Sequence, residues 1–162
     1  MTLTAHAIVG AGIAAISPAH PVLGISLAFA SHFLVDAIPH YDYQIHSPSI
    51  HPPIGTPMQF DRALLHDFFS IGSDFALGII LALFFFATPA TWPLILLAAL
   101  AGQLPDALQF IYSRFKHEPL VSLQRFHQWM HTNIHLREHP VLGISSQVFF
   151  LAAFVSFIKI IF

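Results

Sequence analysis

Between Asp74 and Asp106 not one side chain ionises, and the stretch is broken near its middle by Thr88-Pro89-Ala90-Thr91-Trp92-Pro93. It is too long for a single crossing of a hydrocarbon core about 30 Å thick, and the prolines fall where a turn would reverse it. Backbone polar groups cannot be left unpaired in hydrocarbon, and helices pair them internally. The rest of the chain agrees: 56% of its 162 residues are hydrophobic and only 9% are charged, far from the balance of a water-soluble domain. The expectation is an all-α, polytopic transmembrane bundle of about five membrane helices in one domain.

The prolines and polar runs divide the chain. Residues 3–38 form a first helical hairpin, turned by Ser17-Pro18-Ala19-His20-Pro21, and residues 61–110 form a second. Residues 39–60, rich in His, Tyr, Pro, Ser and Gly, read as a polar loop. Residues 112–138 hold four of the six basic residues with Phe115, Leu120, Leu123, Phe126, Trp129 and Met130 interleaved, the pattern of an amphipathic interfacial helix. Residues 140–162 make a fifth apolar helix. The start Met1-Thr2-Leu3-Thr4-Ala5-His6 has no basic n-region, so the first apolar segment is expected to be retained.

Two hairpins bring the loops after residues 38 and 110 to one side, together with Arg62, Arg114, Lys116, Arg125 and Arg137; Lys159 alone falls opposite. The positive-inside rule makes that side cytoplasmic. A net charge of −2 with six Lys plus Arg excludes a nucleic-acid partner, which needs a concentrated basic surface. Membrane lipid is the partner the composition implies. With no cysteine, any metal ligands are nitrogen and oxygen.

Twelve histidines in so apolar a chain direct attention to ionisable groups near the membrane. Each costs roughly 2.5–3.5 kcal/mol at a helix centre, so such groups are placed for function or paired. His6 and the pair His66 and Asp67 open the first helices of the two hairpins; His32 with Asp36, and Asp106, close the second. The topology thus delivers all six to one face. His32 and Asp36 are four apart, and Asp67 and Asp74 seven apart, so each pair shares a helix face. His40 and Asp42 follow just past Pro39 as additional ligand candidates. Imidazole with carboxylate suits zinc first, with manganese or iron next and magnesium for a carboxylate subset.

His127, His131 and His135 are spaced by four and would form one helical stripe, advancing about 40° per step. A solvated or headgroup-facing surface is the favoured reading of that stripe. Chelation by His127 and His131, or closure over the first cluster as a lid, are the alternatives. Asp74, deeper in its helix, is as readily a cross-helix hydrogen-bond partner as a ligand. Two repeat signals remain. Leu34-x-Asp36-Ala37-Ile38 matches Leu104-x-Asp106-Ala107-Leu108, suggesting related halves with His6 and His66 in equivalent places; His-Pro-Val-Leu-Gly-Ile-Ser occurs at both 20–26 and 139–145.

No nucleophile elbow, phosphate-binding glycine loop or helical His-Glu-x-x-His is present. An early His6, the run Ser31-His32-Phe33-Leu34-Val35-Asp36 and the element Gly102-Gln103-Leu104-Pro105-Asp106, spread over roughly two thirds of the chain, resemble the membrane-bound metal-dependent hydrolases of bacteria and archaea. The resemblance implies a helical protein of the prokaryotic inner membrane, with His6, Asp36 and Asp106 at a metal site and His32 beside them. Members often carry Leu-Pro-Asp-x-Asp-His and His-x-x-x-Thr-His-Ser; here Leu104-Pro105 is followed by Asp106-Ala107-Leu108, and no Thr-His-Ser occurs.

The functional expectation is a hydrolase at the cytoplasmic interface acting on a lipid-like or phosphoester small molecule. Its metal is held by His6, Asp36, Asp106 and His66, with Asp67 or His32 as general base. The alternative is metal-ion or proton transport through the same groups, for which Asp74 is the motivating residue. A haem held by paired helical histidines is a weaker third reading.

Overall fold

The computed structural model describes residues 1–42, 44–47, 59–134, 136 and 138–161; His135 and Arg137, and the loop residues 48–58, lie outside them. Among the described residues there are six helices and no strand: α1 (Leu3–Ala15), α2 (Pro21–Asp36), α3 (Arg62–Phe86), α4 (Trp92–Arg114), α5 (Leu120–Met130) and α6 (Pro140–Ile161). The all-α bundle and both hairpins are as the sequence leads one to expect. Pro21 and Pro93 each stand in the first turn of the returning helix, where a missing N–H costs nothing. The α3–α4 turn is closed by Thr88 and Thr91, each backbone N–H donating to the other's hydroxyl.

Helix length separates two roles. α3, α4 and α6 are long and apolar enough to cross a membrane, and of the most apolar part of α3 and α6 only 11% and 17% is buried inside the bundle. Their remaining apolar side chains, such as Phe68, Phe84, Phe149 and Ile160, face outward, as suits helices that meet an apolar surrounding such as lipid. α1 and α2, at 13 and 16 residues, are about 20 and 24 Å long. α1 is the core: every residue in it except Ile13 is buried, as suits a helix apolar all round.

Glycines set how closely the neighbours approach α1. A Cβ on Gly102 of α4 would lie 2.4 Å from the His6 carbonyl oxygen, and one on Gly78 of α3 would lie 2.9 Å from Thr4 Cα. Small residues at helix crossings let backbones meet and gain dispersion contact that lipid cannot outcompete. The same contacts set the register, with Thr4 level with Asp74. The Thr4 N–H and hydroxyl both donate to the Asp74 carboxylate, at 3.2 and 2.6 Å, so Asp74 takes up an unpaired donor of the α1 first turn. Asp74→Ala strands the Thr4 N–H, while the hydroxyl keeps the Asp74 carbonyl at 3.0 Å, and is expected to cost about 1–3 kcal/mol, read as a lower melting temperature in detergent with metal content unchanged.

Three expectations need correction. α4 does not close at Asp106 but runs through Pro105 to Arg114; a proline there removes one helical bond without ending a helix held by its neighbours. The amphipathic segment 112–138 contracts to Leu120–Met130, its beginning being absorbed into α4. His131 is the C-cap of α5 and not part of a helical stripe. The repeated heptapeptide acquires a local explanation. In both copies the His carbonyl accepts the Gly N–H four residues on, Pro opens the helix, and the Gly passes close to preceding chain, Ser17 in one case and Tyr41 in the other. It is a helix-start device, indifferent to the membrane face on which the helix begins.

Candidate metal centre

α1 begins, α2 ends and α6 begins at one end of the bundle, and α4 passes it at Gly102–Asp106. The last residue of α2, Asp36, is 1% exposed and forms the hub. Its Oδ2 lies 3.1 Å from His32 Nε2 and 2.9 Å from His127 Nε2, and those two nitrogens are 3.2 Å apart. A tetrahedral ion with bonds of about 2.0–2.1 Å has edges near 3.3 Å, so the three atoms describe one face of such a polyhedron. Asp106 Oδ1, 3.7 Å from His32 Nε2 on a side chain one-third exposed, supplies a fourth atom on the open side.

A second group shares the Asp36 carboxylate. His40 and His131 each offer a nitrogen grouped with Asp36, His40 Nε2 at 4.0 Å from Asp36 Oδ1. His6 Nε2 also approaches Oδ1, at 3.1 Å, stacked on His32 with ring centroids 3.9 Å apart. The Met1 amino group lies 2.7 Å from the same oxygen.

Backbone carbonyls orient three of these rings. His32 Nδ1 donates to Gly102 O at 2.8 Å, His40 Nδ1 to Ile38 O at 2.6 Å and His131 Nδ1 to Thr132 O at 3.1 Å. A carbonyl only accepts, so the proton of each neutral ring sits on Nδ1, and the bare lone pair on Nε2 is available to a cation; that is the usual outer arrangement of metal-ligating imidazole. For His32 and His40 that nitrogen faces carboxylates: His40 Nε2 is 2.8 Å from Asp42 Oδ1. Nδ1 of His6 is buried without a hydrogen-bond partner, whereas Nε2 of His6 and of His40 face carboxylate oxygens at 3.1 and 2.8 Å. Lone pairs turned toward carboxylates suit a cation, and the Met1 ammonium, 2.7 Å from Asp36 Oδ1 and 3.4 Å from Asp42 Oδ1, supplies one positive charge there. Burial lowers the His131 pKa and keeps that imidazole neutral. Burial opposes ionisation of Asp42, but His40 and the Met1 amino group outweigh it and hold its pKa well below the usual carboxylate range.

α5 brings in His127, and it does so inside out. Gln124 and His127 are buried against the cluster, whereas Phe126 and Trp129 are exposed. A helix at a membrane interface turns its aromatic residues outward to lipid and its polar residues inward to a polar centre. The following segment is tied down by Thr132 N–H to Asp36 O and Leu136 N–H to His40 O, at 2.9 and 3.0 Å. The solvated-surface reading of the stripe therefore fails for His127, and His131 also faces the cluster. The signal was legible: His127 continues the Leu120–Leu123 face at helical spacing.

The expected ligands divide. His6, His32, Asp36 and Asp106 meet, joined by His40, Asp42, His127 and His131. His66 and Asp67 do not: they lie about 10 Å or more along α3 beyond the level where Asp74 meets Thr4, in a separate group with His46. Matching His6 with His66 assumed equal starts for α1 and α3, but α3 overhangs α1 by several turns. Asp67 consequently cannot serve as base at Asp36, and the one unprotonated nitrogen of neutral His32 is already turned into the ligand set.

The fold and the cluster define a class: a helical protein with helices fit to span a membrane, and His/Asp groups that can hold metal at one end of the bundle. The chain matches no family model, no curated protein and no solved structure.

Proposed function

We propose that the chain is a membrane-embedded, metal-dependent hydrolase whose centre would hold two divalent ions sharing Asp36. His32, Asp36, Asp106 and His127 would hold one, and Asp36, His40 and His131 the other, with His6 packed beside them. The observation that carries this reading is the gathering of two candidate metal-binding groups, His32, Asp106 and His127 in one and His40 and His131 in the other, on the single buried carboxylate of Asp36. Divalent ions held by these residues would supply charge stabilisation for a phosphoester and lower the pKa of water, which makes phosphoesters with a lipid-like body the preferred substrate class. Zinc best suits the imidazole-rich side.

Within that reading Asp106, the accessible member of the ligand set, marks the side from which substrate enters. His32, His40 and His131 are held by backbone carbonyls and contribute orientation as well as nitrogen lone pairs. The centre works at the cytoplasmic face of the membrane, the side of Arg62, Arg114, Lys116 and Arg125 by the positive-inside rule. Transport is the less supported reading, because Asp74, its motivating residue, is engaged in capping α1.

The test is turnover of a chromogenic phosphodiester and of phospholipid in mixed micelles by detergent-purified chain. Hydrolysis that vanishes on chelation, returns with zinc or manganese, and drops at least about 100-fold in Asp106→Ala supports the proposal. Metal-loaded, folded protein that cleaves neither substrate but passes metal across a vesicle would replace it with transport.

A further inference from the structure

The group displaced from the Asp36 centre is itself built like a ligand site. Asp67, the sixth residue of α3, is 2% exposed, and both of its oxygens are used. Oδ2 accepts the backbone N–H groups of His46 and Ser47 at 2.9 and 2.7 Å, which fixes the plane of the carboxylate. Oδ1 is thereby turned to two imidazoles, with His46 Nδ1 at 3.1 Å and His66 Nδ1 at 3.5 Å. These distances bracket the edge of about 3.3 Å expected for a tetrahedral zinc-class ion. The rings stand at 80° to one another with centroids 4.9 Å apart, so they are not stacked and both ring edges face the same oxygen.

His46 and His66 are 50% and 65% exposed, so both rings also reach water. Without an ion, Oδ1 has lone pairs enough to pair with both rings; with one, the same two nitrogens and oxygen are its ligands. Here both direct Nδ1, the more hindered nitrogen, at one oxygen whose carboxylate is already positioned by backbone donors. Pre-set carboxylate, two convergent nitrogens and an open outer side are the makings of a three-ligand site with a fourth position for water.

We propose that His46 Nδ1, His66 Nδ1 and Asp67 Oδ1 bind a single divalent transition-metal ion of the zinc class, separate from the Asp36 centre. The ion would join the segment after α2, at His46, to the first turns of α3. The proposal does not depend on the hydrolase reading.

Cobalt(II) serves as the probe, because its visible absorption reports coordination by nitrogen and oxygen at low symmetry. Titration of the full chain in detergent is compared among wild type, Asp36→Asn, His46→Ala/His66→Ala and the combination of all three. The expected result is one Co²⁺ per chain retained in Asp36→Asn, and loss of one Co²⁺ in His46→Ala/His66→Ala, with either single histidine variant binding at least 10-fold more weakly. Because both imidazoles are exposed, the double variant is expected to fold, and it tests the site even if Asp36→Asn does not. Cobalt stoichiometry unchanged in His46→Ala/His66→Ala overturns the proposal. If Asp36→Asn keeps all its cobalt instead, the Asp36 centre is the one that fails.

Discussion

Asp36→Asn is expected to empty both positions of the bundle-end centre at once. Asparagine preserves size and one carbonyl oxygen but removes the charge and one of the two oxygens on which the ligand sets converge. His127→Ala should remove only the ion shared with His32 and Asp106, and His40→Ala only the ion shared with His131, each weakening binding by at least about 100-fold, since even outer-shell partners of a metal ligand are worth 10–100-fold. Elemental analysis of folded, detergent-purified variants reads this directly. A centre bridged by Asp36 gives two, one, one and none for wild type, His127→Ala, His40→Ala and Asp36→Asn, after subtraction of any ion held by His46 and His66. Equal loss in all three variants would instead mean a single ion.

The second large effect is expected at Gly102. A methyl group there would stand 2.4 Å from His6 O and 3.1 Å from His6 C, and both are backbone atoms that cannot swing aside. Gly102→Ala must therefore push α4 away from α1 at the level of the cluster. Overpacking of this kind costs about 1–3 kcal/mol, and it also moves the Gly102 carbonyl that holds His32 by Nδ1. Both a lower melting temperature and weaker metal binding should follow. Gly72→Ala is the control: a Cβ there meets nothing within 4 Å, and replacing a helical glycine should change stability by no more than about 1 kcal/mol, in the stabilising direction. A Gly102→Ala protein as stable and as metal-loaded as wild type would show that the helices have room to move apart.

His32 and Asp36 illustrate how much of the centre was legible in the residues. Their spacing of four places them on one helix face, and the hairpin rule turns that face toward His6 and Asp106; all four meet. His66 and Asp67 illustrate the limit. Their presence near the start of the second hairpin was legible, but their depth relative to His6 depended on how far α3 projects beyond α1. Hydropathy carries no register between helices. Here the register is set by Gly78 against Thr4 and Gly102 against His6, contacts between residues far apart in the chain. His127 shows a different failure: amphipathicity identifies two faces but not which faces the protein, and at a membrane interface the usual assignment of apolar to the inside reverses.

By itself, then, the sequence determined the helical class, the two hairpins and the end of the bundle at which the acids and imidazoles collect, because length, proline and the cost of charge in hydrocarbon act locally along the chain. Only the tertiary structure decided that α1 is the buried core, that α5 turns His127 inward onto Asp36, and that, among the described residues, His46, His66 and Asp67 stand apart from the Asp36 cluster. Those outcomes depend on interhelical distance and register, which glycine contacts and cross-helix hydrogen bonds set only once the helices are packed together.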